Sequence, residues 1–503
     1  MLPMPWASRG RTLGHDPDPS TEDLVAHAPS PVNTLTHAIV VGAGMGGLLA
    51  AHALSRHVDR VTVVERDTLP TSPAPRAGTP QGRHVHALQP GGLAAIEHLL
   101  PGFQDRLLAH GAVPVVVPRD LLWMSRAGWM QPQSGAGHVI MSASRDLIEW
   151  VTRDLVLARS SIGLRTGTEV AALAVRDDRI VGLDVRPRGA APGEPTERLV
   201  ADLVVDASGR RSRAPDWLEA AGYDRPEEEV IDADLAYASR TYRRGPDDLA
   251  GWQAMLLQPR APDCGRMAVM FPIEGDRWLV TVAGANGDVP PTDDEGFLAY
   301  AAGLRTPTLA DAIDRLEPLS PIVAFRRTAN RRRKFEALRR RPDGFLAVGD
   351  SACAFNPVYG QGMSVAAMTA KEIHRGLQAH TVRTFGDLAG VCDGLQRAVA
   401  RLNAGAWMVA TGEDLRFPRT EGGRVTPADR VVRRYLDRVV LAASSDPVAN
   451  AAFVDVITMT APPTSLMHPR LAARVLSRRT PPPSPAPPQP LRRPAPATAA
   501  LAG

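Results

Sequence analysis

Gly42, Gly44, Gly46 and Gly47 carry no side-chain chemistry, and that is their use. They stand in A-I-V-V-G-A-G-M-G-G-L-L-A-A-H-A-L at positions 38–54, with Gly42, Gly44 and Gly47 at G-x-G-x-x-G spacing. The first glycine of such a turn permits a tight bend, and the second lets backbone approach a pyrophosphate. The third lets the following helix close on the strand, so that its N-terminal N–H groups face the phosphates. A second apolar run, 61–64, ends at Glu65, 18 residues past Gly47, with Arg66 next to it. A carboxylate there can bond the hydroxyls of a ribose. The pattern predicts strand 38–41, a helix over 48–54 and strand 61–64, a βαβ unit for an adenine dinucleotide. A glycine-rich turn that merely packs is the bland alternative.

Two later stretches repeat the strand-then-turn pattern. V-V-D-A-S-G at 204–209 runs into Arg210, Arg211, Ser212 and Arg213, and brings Asp206 and Gly209 to a strand end. An apolar strand at 344–348 ends in Gly349-Asp350, followed by S-A-C-A-F-N-P-V-Y-G-Q-G-M and a helix predicted over 364–377. Asp350 can accept bonds from ribityl hydroxyls. Gly360 and Gly362, at a helix start, let backbone N–H groups approach the electron-rich pyrimidine edge of a flavin. Pro357 and Met363 belong to the same candidate loop. An ordinary βα loop is the bland reading, weakened by the adenine site far upstream. Between the blocks, P-R-A-G-T-P-Q-G-R-H-V-H-A-L at 75–88 places Arg76 and Arg83 where they can grip cofactor phosphates or ribose, or simply face solvent. His84 and His86 lack the further ligands of a metal site.

Other elements must position these residues. An amphipathic helix is predicted from Arg145 to about 158, capped by Ser144. Strand-like runs at 233–242, 252–258, 266–272 and 277–283, joined by short turns, predict an antiparallel second layer. Met255, Met267, Met270 and Phe271 on these runs suit the wall of an apolar pocket, although core packing explains them equally well. Nine basic residues crowd 326–341; a solvated face is the first reading, and a docking patch for an acidic partner or a nicotinamide cofactor's phosphates the second. The expected organisation is a disordered lead-in (1–36), an α/β domain (37–213 and 342–378) around a parallel sheet, an antiparallel-sheet substrate domain (214–341), a helical C-terminal region (379–478) and a disordered Pro/Ala-rich tail (479–503).

Composition excludes several classes. With 503 residues the chain can bury a large core, and its net charge of +4 is too small to imply nucleic acid. No run of 18 apolar residues and no signal peptide is read, so neither a transmembrane segment nor export is expected. Cys264, Cys353 and Cys392 give neither a disulfide framework nor metal spacing, and they suit the cytoplasm.

The three blocks, in this order, resemble the FAD-dependent monooxygenases of the aromatic-hydroxylase and squalene-epoxidase type. E-R-D-T-L-P, R-x-G-x-P-Q-x-R-H-x-H and G-D-S…N-P-V-Y-G-Q-G-M-S look most like the bacterial polyene epoxidases of polyether antibiotic pathways, over about residues 37–475. The resemblance implies a Rossmann-like FAD domain with non-covalent FAD. It puts Gly42, Gly44 and Gly47 at the pyrophosphate, Glu65 at the adenine ribose, and Arg145 at the FAD. Val170 would meet the adenine through its backbone, Asp350 the ribityl chain, and Gly362 and Met363 the isoalloxazine. Asp206 and Gly209 match a motif that serves FAD and the nicotinamide cofactor in the hydroxylases, but D-A-S-G departs from their D-G form. The flavin would carry the chemistry, with no catalytic side chain, and molecular oxygen as co-substrate. Electrons would come from NADPH or from reduced flavin made by a partner reductase. The implied activity is epoxidation of an apolar small-molecule or carrier-bound polyene or polyketide, in antibiotic biosynthesis. A ring hydroxylase, an isoprenoid-chain flavin reductase and a flavin-binding protein with a structural or sensory role are the alternatives.

Overall fold

The computed structural model describes residues 37–133, 137–191, 193–245, 248–326, 328–380, 390–477, 480 and 482–491. The expected lead-in lies outside the described residues, as does much of the expected tail.

The strand His37–Val41 is buried along its whole length, as a β-branched run flanked on both faces must be. It lies in the middle of a five-stranded parallel sheet ordered Phe345–Ala347, Leu203–Asp206, His37–Val41, Arg60–Val64, Ile162–Arg165. The helices Met45–Leu54 and Gly362–Ala379 share one core with one face of this sheet, through Leu48, Leu49, Ala367 and Ile373. The opposite face, through Ile39, Val41, Val204 and Ala347, meets a three-stranded antiparallel sheet (Thr168–Arg176, Arg179–Pro187, Glu197–Val200) at Leu173, Leu183 and Val185. The three sequence blocks thus end at neighbouring strands of one sheet, although they are far apart in the chain.

The second layer is a seven-stranded sheet ordered Val323–Phe325, Ala236–Arg243, Arg277–Gly284, Arg266–Ile273, Ala254–Leu257, Leu121–Ser125, Gly128–Trp129. It is antiparallel except where Ala254–Leu257 runs parallel to Leu121–Ser125. Two of its strands therefore come from within the first stretch assigned to the FAD domain, so a boundary at 213/214 does not separate the layers. The helices Asp294–Ala302 and Thr308–Ile313 cover its outer face through Phe297, Tyr300 and Leu309. A C-terminal region of helices (Val391–Asp414, Pro427–Ala443, Pro447–Ile457, Pro469–Ser477) packs part of its apolar surface on the inner face, at Trp123 and Phe271. Among the described residues, no single helix is long and apolar enough to cross a membrane.

Where the tail is described, it touches the body of the fold. Pro483 lies over Gly128, where an added β-carbon would come within 2.7 Å of the proline ring. Pro490 lies over Gly251, with its ring 3.2 Å from such a carbon. A proline-rich segment has little conformational freedom to lose, so a few ring contacts suffice to seat it. The Pro483 contact covers Gly128–Trp129, the edge strand of the seven-stranded sheet, an exposed strand being a template for unwanted pairing. Truncation after Thr480 is expected to lower the melting temperature by about 1–3 °C, the effect of losing roughly 1 kcal/mol in a large domain. Differential scanning calorimetry checks this, and an unchanged or raised value would show that the contacts contribute nothing.

Candidate functional site

The first turn shows why its glycines stand where they do. Gly42 sits at φ +99°, and a β-carbon on Gly47 would lie 1.8 Å from the Gly42 carbonyl oxygen. Helix and turn can touch only because position 47 has no side chain. At Gly44 the space is open, with only the Arg76 guanidinium within 4 Å, at 3.8 Å. The first amides of the Met45–Leu54 helix face outward there without intrahelical partners.

Glu65 closes this turn. Its Oε2 accepts from the Ala43 N–H at 2.8 Å and its Oε1 from the Asp67 N–H at 2.9 Å. Arg76 stands 3.5 Å from Glu65, 3.3 Å from Asp67 and 2.7 Å from Glu149, and Arg145 lies 2.7 Å from the other Glu149 oxygen. All the side chains of this chain are buried. Burial alone would push the Glu149 carboxyl up, but Arg145 and Arg76 outweigh it and hold the group below its ordinary value. Reading the sequence singled out Glu65, Arg76 and Arg145 but missed Asp67 and Glu149. The i,i+4 spacing of Arg145 and Glu149 was the available signal. Arg66 and Arg83 are exposed, and Arg66 leans toward Asp67 at 3.8 Å, so neither joins the buried chain.

Asp206 is engaged within the protein. It is fully buried; Oδ1 accepts from the Ser208 N–H and hydroxyl at 3.0 and 2.6 Å, and Oδ2 from the Ser212 hydroxyl at 2.5 Å. Its work is to shape the D-A-S-G turn. The Gly209 N–H donates to the Ser351 hydroxyl at 2.9 Å, joining that turn to the G-D-S block. Arg210 donates to the carbonyls of Ala329 and Phe355.

Asp350 behaves differently. It is half-buried, and its carboxylate makes no hydrogen bond to a described residue. Burial raises its pKa, against the pull of Arg210, Arg145 and Arg333. A carboxylate in this state fits a ligand hydroxyl. Downstream, Pro357 opens a single 3₁₀ turn (Pro357–Tyr359), Gly360 follows, and Gly362 opens the long helix. The Met363 side chain is buried in the core shared with the first helix, so only its backbone is placed to meet a flavin. Val170, half-buried in the strand Thr168–Arg176, lies near the end of the Arg60–Val64 strand, where the Thr168 N–H donates to the Glu65 carbonyl at 3.0 Å. Two buried polar atoms at this site lack partners, Gln361 Oε1 and Arg145 Nε. The open cradle at Gly44, the unengaged Asp350 and these two atoms together fit an extended flavin dinucleotide.

The apolar wall lies on the inner face of the seven-stranded sheet. Along Arg266–Ile273, Met267 and Phe271 point inward, while Ala268 and Met270 point into the core under the outer helices. Met255 and Met270 both belong to that outer core and are fully buried, so the expectation that they line a pocket is corrected. Phe271 packs against the C-terminal helices. Met267 groups with Tyr237, and Phe325 and Val358 lie against them, beside the 356–363 loop.

His84 stacks edge-on against Tyr237, with ring centroids 4.4 Å apart. Its Nδ1 is 2.7 Å from the Ser239 hydroxyl, which is 2.6 Å from that of Thr281. Burial, with His86 and Arg83 nearby, lowers the His84 pKa to about 3. Burial, with Arg145 nearby, lowers that of His86 to about 4. Burial pushes the Tyr237 hydroxyl upward.

The basic run at 326–341 is neither a bare solvated face nor a free patch. Arg331 and Arg333 pair with Glu228, Lys334 with Glu227, Arg332 with Glu336, Arg340 with Asp178, and Arg341 with Asp393. The three cysteines are free, and no group of three metal-ligating side chains occurs among the described residues.

A model of the FAD binding domain matches residues 35–383. Protein Rv3254 of Mycobacterium tuberculosis is 34% identical over 427 residues, covering 83% of this chain and 88% of that one. The 6-methylpretetramide 4-monooxygenase of Streptomyces rimosus is 26% identical over 378 residues, covering 72% and 76%. Among solved structures, the flavin-dependent brominase Bmp2 superposes with a TM-score of 0.58 at 13% identity, covering 88% of this chain and 98% of that one. That last likeness is one of fold.

The geometry separates glycines that shape the turn from those that admit a ligand. Gly47→Ala is expected to destabilise the protein without cofactor by about 3–5 kcal/mol, the range of severe core clashes. Gly44→Ala should leave the apoprotein's unfolding unchanged and weaken FAD binding. Asp350→Ala should fold and lose roughly 1.5–3 kcal/mol of FAD affinity, the worth of a charged hydrogen bond. Denaturant titration and FAD fluorescence quenching read these separately; full affinity in Asp350→Ala would remove it from the site.

The buried histidines add a pH dependence. His84 and His86 stay neutral in the fold well below 6.5, whereas the unfolded chain takes up protons there. Stability should therefore be complete above about pH 6.5 and fall as pH drops toward 4 and then 3. His84→Gln should flatten that fall in melting temperature; an unchanged profile would show that His84 does not contribute to it.

Proposed function

This chain belongs to the FAD binding domain family, and from that membership we propose that it is an FAD-dependent monooxygenase that adds one oxygen atom across a C=C bond of an extended apolar polyene or polyketide. The observation that carries the choice of reaction is the proton chemistry of the wall beside the 356–363 loop. Its titratable groups, His84 and Tyr237, are both poor proton acceptors near neutral pH: one is neutral with a strongly lowered pKa, the other holds its proton more tightly than usual. Oxygen transfer to an alkene needs no base, whereas a phenol gains from losing its proton.

The cofactor, once reduced, supplies activated oxygen, as flavins do. This chain's residues do the rest. Gly44 and the first helix amides receive the pyrophosphate, and Asp350 accepts from the ribityl chain. The amides at Gly362 and Met363, at a helix N-terminus that favours negative charge, would receive the pyrimidine edge. Met267, Tyr237 and Phe325 exclude water from the facing side. Electrons come from NADPH or from a separate flavin reductase.

A ring hydroxylase is the second reading, favoured by the Streptomyces rimosus relative, whose name is that of a monooxygenase of 6-methylpretetramide. Labelling with heavy molecular oxygen separates the readings. The expected product is an epoxide carrying one labelled atom; a labelled ring hydroxyl would establish the second reading, and double-bond saturation without oxygen would sink both. In the same assay His84→Gln should slow turnover by less than the roughly 10²–10⁴-fold typical of losing a general base.

A further inference from the structure

The helix Val391–Asp414 ends on a carboxylate that nothing above uses. Asp414 is fully buried, and no arginine or lysine pairs with it among the described residues. It is instead surrounded by neutral donors. The Tyr359 hydroxyl donates to it at 2.5 Å, Asn330 Nδ2 at 2.6 Å and Asn356 Nδ2 at 3.2 Å. Two of these donors belong to the loop between Asp350 and the Gly362–Ala379 helix. The loop is tied further by the Asn356 N–H donating to Asn330 Oδ1 at 2.8 Å and the Val358 N–H to Asn356 Oδ1 at 3.3 Å. The far side of Asp414 is secured by the Thr420 hydroxyl, which donates to its carbonyl at 2.5 Å.

A buried carboxylate without a cation is costly, and an apolar side chain would fill the space at less cost. What the carboxylate adds is direction: an ionised acceptor holds several donors at once, with shorter and stiffer bonds than a neutral one. We propose that Asp414 is a positioning residue for the flavin, fixing the 356–360 loop so that the backbone amides at Gly362 and Met363 stand ready before the cofactor arrives. This rests on the FAD reading of the 349–363 block. The residue lies beyond 383, where the match to the FAD binding domain ends, so the C-terminal helices complete a site that the matched segment only outlines. Burial raises the Asp414 pKa to about 6, against the pull of the donors Tyr359, Asn356 and Asn330.

The test compares full-length wild type, Asp414→Asn, Tyr359→Phe and the double variant. FAD affinity is read by fluorescence quenching, bound flavin by its visible spectrum and midpoint potential, and the apoproteins by thermal melting. Asp414→Asn is expected to weaken FAD binding by about tenfold or more and to shift the spectrum of the flavin that remains bound. Tyr359→Phe should weaken binding by roughly three- to tenfold, and the double variant should be no worse than Asp414→Asn, because the residues act as one unit. Asp414→Asn that melts lower but binds FAD within about twofold of wild type with an unchanged spectrum would overturn the proposal, leaving a merely structural residue. If that variant does not fold, unchanged affinity in Tyr359→Phe overturns it instead. A wild-type chain that takes up no FAD overturns the cofactor reading and the proposal with it.

Discussion

The buried chain Glu65–Arg76–Glu149–Arg145 is the interaction on which the cofactor side of this molecule depends. It joins the first turn, through the Ala43 N–H, to the second strand, to the 75–88 loop and to the helix starting at Arg145. Buried ions are stable only when each is satisfied by its neighbours, so the four segments can be placed in only one way relative to one another. The close approach of Gly47 to Gly42 then fixes the remaining freedom, the distance of the first helix from its strand. This end of the parallel sheet is thus rigid because its charges leave it no alternative.

The seven-stranded sheet is organised by the opposite logic, apolar alternation. In Arg266–Ile273 successive side chains fall into different cores, and a one-residue slip would exchange Phe271 for Met270. The inner face is then divided between the C-terminal helices and the 356–363 loop. Position along the strand, as well as side, decides whether a residue packs or lines a site.

What could be read from the sequence was what is local. The βαβ unit, the Ser144 cap and the helix behind Gly362 follow from periodicity and spacing within a few dozen residues, and the structure has all three. Site residues that depend on distant partners were harder to read. Glu149 needs Arg76, Asp414 needs Asn330 and Asn356, and the basic run finds its acids at Glu227, Glu228, Asp178 and Asp393. Met255 and Met270 failed as pocket residues because a methionine on a strand looks the same in sequence on either face. Asp206 is the instructive case. Its serine partners are two and six residues away, within reach of one local turn.

The order of strands in the parallel sheet sets a timetable. The four strands between His37 and Asp206 can pair as soon as they leave the ribosome, but Phe345–Ala347, which closes the edge beside Leu203–Asp206, is made 139 residues later. At about 5–20 residues per second that interval is roughly 7–30 s, during which the nascent sheet carries an open apolar edge. The Asp350 end of the cofactor site does not exist in that time. Any contact that spans the first glycine turn and Asp350 can therefore form only after that interval.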